Sequence, residues 1–346
     1  MMKLGLYTFA ALAYIALIGG YIYTLDLGNY RLELLNIELP ITLWIVLPLV
    51  LLFIFTVVHM LFYGLKNYFQ IKKWKKDIAK VEDALFWSLV HEPKEQKYVI
   101  DDIKNSAVLL GKSLLTATDN VEGLTPRLSR VVNLIQKVNN GEYVDFKEHK
   151  MLKVFNSGNP ILIKNRLNRL ESDEKFVEEV MRSMSDYSKA VQAEALRIFA
   201  QNEDFVAARK YAKVFDTQNF LVMLNRIDDE NDLGLTGEIL NDFVSALHMK
   251  CDEYIKIASI TKKYFKPEEN LQLFREYQAK DEKAQNAYLY LLFEYELLDQ
   301  VANYLDEQGE NEFVKFRAFY TLKKANSKYK LEDIIDISTV CKKVRF

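Results

Sequence analysis

The side chains able to do nucleophilic, acid–base or metal chemistry are few and far apart in this sequence. Its four histidines, His59, His91, His149 and His248, are isolated from one another. A zinc ion needs three or four ligands at close spacing, and neither a His-Glu-x-x-His run nor a paired-cysteine motif occurs. The two cysteines, Cys251 and Cys341, supply neither a zinc site nor a disulfide framework. They read as reduced thiols acting as small buried hydrophobes, which suits the cytosol. Leu110-Gly111-Lys112-Ser113 has the ending of a phosphate-binding loop, but Ser106 stands where the first glycine belongs and no strand precedes it. Helix is the reading there. Asp228-Asp229-Glu230 and Glu310-Asn311-Glu312 lack the glycine-bearing turn of a calcium loop and read as solvated helix ends. These patterns yield no catalytic, cofactor or metal site, and the expectation is a protein that is not an enzyme.

The elements that would carry any site differ sharply along the chain. Half of the 346 residues are hydrophobic and 27% are charged, yet little charge precedes Lys66, so one chain holds two solvent regimes. Its length exceeds what a single hydrophobic core usually sustains. Twelve glycines and six prolines are too few for a many-turned β architecture, and the abundance of Leu, Lys, Glu and Ala predicts helix.

Leu6–Leu25 is uncharged, and a span of about 20 residues at ~1.5 Å rise matches a hydrocarbon core of ~30 Å. A cleaved signal peptide would need small residues where Tyr21-Ile22-Tyr23-Thr24-Leu25-Asp26 stands, so the span is read as retained. Leu39–Leu65 predicts a second span that tolerates Pro48 by satisfying the freed carbonyl locally. Its His59 is a functional candidate by position alone, and near the cytoplasmic end it reads as neutral at the interface. Lys3 precedes the first span and Lys66, Lys72, Lys73, Lys75, Lys76 and Lys80 follow the second, whereas the connector sets Arg31 against Asp26, Glu33 and Glu38. That bias predicts two membrane crossings with both termini cytoplasmic. The stretch Lys66–Lys80 carries six lysines and one aspartate in a chain of net charge −2, so its partner is the anionic headgroup layer rather than nucleic acid. Lys66, Lys72, Lys73, Trp74, Lys75 and Lys76 are the predicted membrane-surface residues. Tyr21, Tyr23 and Tyr30 near one face, with Tyr63, Tyr68 and Trp74 near the other, fit interfacial anchoring.

In the connector, Tyr30, Leu32 and Leu34 alternate with Arg31 and Glu33, which predicts a short strand or interfacial segment. Over Met1 to Lys80 the order is a short apolar helix, Asn29 with these alternating residues, Leu39-Pro40-Ile41, a second span and a basic helical exit. That order resembles the lipopolysaccharide assembly protein A domain family of bacterial inner-membrane proteins. The resemblance implies an inner-membrane location; the long chain after Lys80 departs from that family.

Residues 81–156 read as a membrane-proximal helical region and 157–346 as a helical-repeat domain. Val81–Val90 predicts a helix ended by Pro93, and Lys97–Leu115 a second. Thr125 before Pro126 is an N-cap signal for a helix whose buried stripe is Leu128, Val131, Ile135 and Val138, with Asn139-Asn140-Gly141 as its stop. Ala195, Leu196 and Phe199, a polar turn, then Phe205, Ala208 and Ala212 resemble a tetratricopeptide repeat pair. Leu289, Tyr290 and Phe293, a turn at Glu296, then Leu298, Val301 and Leu305 resemble another. Lys266-Pro267-Glu268-Glu269 starts a further helix. The fold class expected is all-α, a two-helix transmembrane hairpin followed by an irregular α-solenoid of tetratricopeptide type.

The aromatics of the last third read as helix-to-helix packing, with a groove for a partner as the alternative. The function expected is a membrane-anchored scaffold or adaptor that holds protein partners at the bilayer, in assembly or upkeep of an envelope complex. A membrane-bound enzyme whose residues meet only in three dimensions, or an envelope-biogenesis regulator, is the alternative. Partner identity and oligomeric state stay open.

Overall fold

The computed structural model describes residues 2–32, 37–118, 122–228, 230–325, 327–336 and 339–341. Helix dominates, and the chain divides into two compact units, Met1–Val132 and Asn133–Phe346.

The first unit opens with α1 (Met2–Thr24), β1 (Asn29–Leu32), β2 (Ile37–Pro40) and α2 (Ile41–Leu89). The two strands form an antiparallel ribbon in which Asn29 faces Pro40 and Leu32 faces Ile37. The expected alternating connector is therefore a strand pair; Glu33 and Leu34 lie outside the described residues. The Trp44 indole N–H donates to the Tyr30 carbonyl at 3.2 Å and ties the first turn of α2 to the ribbon. Along α1 the partly covered residues Tyr7, Ala11, Ile15, Ile18 and Ile22 recur every three or four positions, the spacing of one helix face, and α1 packs on α2. Gly19 lets the two backbones approach, since a Cβ there would come 3.3 Å from Val46 Cγ2. Both helices are long and apolar enough to cross a membrane, and no residue in the most apolar window of either is buried.

The expected second span begins α2 but does not end it. α2 is one helix of 49 residues, about 74 Å at ~1.5 Å per residue, and it absorbs Val81–Leu89, expected as a separate helix. Neither glycine nor proline interrupts the chain between Gly64 and Pro93, and the Lys, Ala, Glu and Leu found there favour helix, so nothing stops it. The helix expected over Lys97–Leu115 is reduced to α3 (Asp101–Ala107) and a 3₁₀ turn, Val108–Lys112. α4 (Pro126–Asn139) begins at its proline, where the Leu128 N–H reaches Thr125 Oγ1 at 3.4 Å. It buries Leu128, Val131, Leu134 and Val138, while Ile135 is only half-covered. Gly141, at φ +90°, takes the chain out of the helix in a conformation that only glycine adopts freely.

The second unit contains α5 (Pro160–Ser172), α6 (Glu174–Arg182), α7 (Lys189–Asn202), α8 (Phe205–Arg209), α9 (Thr217–Leu224) and α10 (Gly237–Ala246). It continues with α11 (Cys251–Tyr264), α12 (Pro267–Lys280), α13 (Gln285–Glu294), α14 (Leu298–Asp306), α15 (Val314–Lys324) and α16 (Leu331–Ile334). Short polar side chains set the starts: Asn159, Asp173, Asp204, Asp216 and Thr236 each accept a backbone N–H from the first turn that follows them. Arginines close two ends. Arg226 Nη1 donates to the carbonyls of Ala200 and Glu203 at the end of α7, and Arg317 Nη2 to those of Leu305, Gln308 and Gly309 after α14.

Packing runs in rows. α5, α7, α9, α11 and α13 touch in succession, and α8, α10 and α12 form a second succession. Of the segments expected as helix pairs, α7, α8 and α13 lie in these rows while α14 packs on α13 outside them, and Ala195, Leu196, Phe199, Phe205, Ala208, Leu289, Tyr290, Phe293, Val301 and Leu305 are buried. α8 is a single short helix, and Ala212 falls in the 3₁₀ turn Ala212–Val214 that follows it. At the centre, Phe243 stacks on Phe220 at 4.8 Å and meets Phe205 and Phe215 edge-on.

The two cysteines depart from the expectation of reduced thiols. Cys251, the first residue of α11, is bonded to Cys341, with Cα atoms 5.8 Å apart. The C-terminal stretch comes back to α11, a return across 90 residues that no local pattern announces. Neither cysteine is fully buried.

Candidate membrane-proximal and interaction surfaces

Lys66, Lys72, Lys73, Trp74, Lys75 and Lys76 all lie on α2, and all are exposed. The helical repeat sorts them. Ile71, Trp74 and Ile78 follow the i, i+3, i+7 spacing of one face, and all three are exposed; Lys72, Lys76 and Lys80 follow i, i+4, i+8 on the opposite side, with Lys73 beside them. Such a helix offers ammonium groups along one flank and an indole with two isoleucines along the other. Lys66 Nζ lies 5.8 Å from the Tyr63 ring centroid, and His59 packs on the same ring at 4.4 Å. Asp77, the single acid of this stretch, is enclosed, and its Oδ2 accepts the backbone N–H groups of Val99 and Ile100.

The second unit carries open clefts beside its first row of helices. One of about 760 Å³ lies where α5, α6 and α7 meet, between Asp173, Glu174, Lys175, Arg197 and Ile198. Another of about 610 Å³ separates α9 from α11, with Leu221, Val222, Lys256 and Ile260 on its walls. Both mix charged rims with a few aliphatic groups. Glu178, beside the first cleft, is held below the usual carboxylate range by hydrogen bonding to Lys210 and the charge of that ammonium, which stands 3.0 Å away.

In the second unit, Lys262 and Glu294 form a partly enclosed ion pair. Lys262 Nζ donates to Glu294 Oε2 at 2.5 Å, to the Tyr290 hydroxyl at 2.8 Å and to Glu332 Oε1 at 3.4 Å. Burial alone would lower the Lys262 pKa, but the bonds to Glu294 and Tyr290 outweigh it and hold the group above the ordinary lysine value. All three ammonium protons are engaged, so Lys262 is a cation that fastens α11, α13 and α16 together, not a free amine available as a nucleophile. Burial pushes the Tyr290 hydroxyl up to about 12, against the pull of Lys262.

The remaining chemistry-bearing residues stay dispersed. Gly111 of the Leu110–Ser113 stretch sits in the 3₁₀ turn against the Lys94–Glu95 backbone, where a Cβ would come 3.0 Å from Glu95 Cα; its glycine serves close packing. Asp228 Oδ1 accepts from the N–H groups of Glu230 and Asn231 and makes a turn, while Asp229 lies outside the described residues. Among the described residues, no group of three His, Cys, Asp or Glu side chains is arranged to hold a metal ion. Sequence reasoning missed the Cys251–Cys341 bridge and the Lys262 cluster, whose members come from segments far apart; the lone aspartate among six lysines was the one visible hint of the Asp77 anchor. No protein-family model, curated protein or solved structure matches this chain.

Proposed function

We propose that this chain is a membrane-anchored scaffold: α1 and the first half of α2 cross a bacterial inner membrane, and the helical second unit presents a cytoplasmic surface to protein partners. The carrying observation is the contrast between the units. The apolar windows of α1 and α2 have no buried residue, whereas the second unit buries an extensive aromatic and aliphatic core. Apolar helices left uncovered by their own chain call for lipid. The exposed lysines of α2 then sit where anionic headgroups attract them, at about 1 kcal/mol each, and keep the second unit on the cytoplasmic side. The two successions of packed helices support an irregular solenoid of tetratricopeptide type, and the clefts along the first succession are the surfaces offered to partners. The hairpin's likeness to the lipopolysaccharide assembly protein A domain family supports an envelope setting. Confinement to the bilayer raises the effective concentration of such a surface toward other membrane components.

Alkaline carbonate extraction tests the anchor, and the protein is expected to stay in the membrane pellet. Photocrosslinking groups at Ile198 and Leu221, inside the two clefts, test the surface in intact cells. The same few protein adducts are expected from both positions and none from a group at Lys328, on the C-terminal side of the unit. Release by carbonate would end the anchor reading, and adducts no different from those at Lys328 would end the scaffold reading.

A further inference from the structure

The geometry points to the Cys251–Cys341 bridge as a thiol–disulfide exchange site: a thiol reductant attacks Cys341, Cys251 departs, and the C-terminal stretch is released from α11. Cys251 is the first residue of a 14-residue helix, at the positive end of its dipole, and the Asn286 side-chain amide donates to its Sγ at 3.3 Å. Negative charge left on Cys251 is met by that amide and the helix dipole, against the carboxylates of Asp252 and Glu253 in the same turn. Exchange runs fastest when the departing sulfur best carries that charge, which makes Cys341 Sγ the point of attack. A cleft of about 420 Å³ opens beside the bridge, between Asn286, Lys315, Val340 and both cysteines, so a small thiol can approach.

The bond controls a defined object. Glu332 is held by Lys262 near one end of α11, and Cys341 is bonded to Cys251 at the other, about 16 Å away at ~1.5 Å per residue. Beside the bridge, Lys315 Nζ donates to the Thr339 carbonyl at 2.9 Å and to its hydroxyl at 2.5 Å. Leu331 and Ile335 are buried in the core. The described C-terminal stretches are thus fastened to both ends of α11, and only the fastening at Cys251 is covalent.

The step balances with a low-molecular-weight thiol as the reductant. Its thiolate bonds to Cys341 Sγ, the protein S–S bond breaks, and the electron pair goes to Cys251 Sγ, which takes a proton from solvent. A second thiol attacks the small-molecule sulfur of the mixed disulfide, frees Cys341 and leaves as the oxidised dimer; closure is the reverse, driven by a low-molecular-weight disulfide. Cycling in the cell rests on the cytoplasmic orientation proposed above, because a cytosolic thiol pool keeps most disulfides open.

The test uses the full-length protein in detergent with glutathione, followed by acid quenching and alkylation. Mixed disulfide is expected on Cys341 in roughly tenfold excess over Cys251. Amide exchange at Leu331–Asp336 is expected to speed by about tenfold on reduction while α7 stays unchanged, and Cys341→Ser should exchange at the fast rate without any thiol. Adducts divided evenly or favouring Cys251, or exchange indifferent to reduction, would overturn the site. In intact cells, acid-trapped protein should carry two free thiols and close its bridge after a membrane-permeant disulfide is added. A bridge already closed in untreated cells overturns cycling: a C-terminal reporter outside the membrane would then show that the orientation had failed, and a cytoplasmic reporter that exchange itself had failed.

Discussion

Asp77 Oδ2 accepts the backbone N–H of Ile100 at 2.8 Å, and that of Val99 at the same distance, from a side chain with no solvent exposure. Ile100 is the residue before α3, so a carboxylate in the lysine-rich part of α2 holds the start of another helix. Hydrogen bonds to a charged acceptor are the strong kind, and removing the acceptor leaves two N–H groups enclosed without a partner. Asp77→Ala is expected to cost about 3 kcal/mol and to open Lys94 and Lys97 to trypsin. Asp77→Asn keeps an acceptor oxygen and should cost less. An alanine variant as protease-resistant as the parent would refute this role.

Lys262 binds three segments at one point, and its contribution is separable from packing. Lys262→Met is expected to destabilise the second unit by about 3 kcal/mol, because it strands Glu294 in a setting only 19% exposed. The double variant Lys262→Met with Glu294→Leu removes both charges and is expected to recover most of that loss. Denaturant midpoints of the four proteins check this. A double variant as weak as the single one would mean that shape, not charge, is what matters there.

The pH dependence follows from groups that folding keeps protonated. Burial pushes the hydroxyls of Tyr254, Tyr290 and Tyr304 up to about 12, and Lys262 is also raised. A group whose pKa is higher in the folded state binds its proton more tightly there, so its full contribution is present below the unfolded pKa. For the tyrosines that contribution is lost as pH climbs from 10 towards about 12. Alkaline titration is expected to show delayed tyrosinate absorbance that then rises together with loss of helix. Tyrosines that titrate near 10 while the helices persist would contradict the buried placement.

The legible parts of the fold are those whose cause is local. Helix starts at Pro126 and Pro267 are written into three or four adjacent residues, and the apolar stretch of α1 needs nothing beyond its own side chains. The continuity of α2 was obscured because its composition changes from apolar to charged at Lys66 while its backbone does not; helix propensity is indifferent to that change, and no breaker stands between Gly64 and Pro93. The cysteine bridge and the Lys262 cluster were hidden for another reason. Each joins segments whose meeting depends on how the intervening helices stack, and a single sequence carries no record of that. A short strand after α1 could be read as one of two options from the alternation of Tyr30 and Leu32 with Arg31 and Glu33, but its pairing with a second strand and the register could not.

The proposed orientation of the hairpin rests on charge, and it can be tested without touching an apolar residue. Four lysines, Lys72, Lys73, Lys75 and Lys76, form the densest part of the bias, while the connector carries Arg31 alone against Asp26, Glu33 and Glu38. A reporter fused after Phe346 is expected to be cytoplasmic in the parent protein. Changing the four lysines to glutamine, together with Asp26→Lys and Glu38→Lys, removes the bias by setting three basic residues in the connector against Lys3, Lys66 and Lys80, and a fraction of reporters should then cross the membrane. The lysine changes alone should have a smaller effect, because Lys3, Lys66 and Lys80 still pull inward and the connector still lacks an opposing excess. If the combined variant stayed wholly cytoplasmic, orientation would have to be set by folding of the second unit before insertion rather than by the lysines.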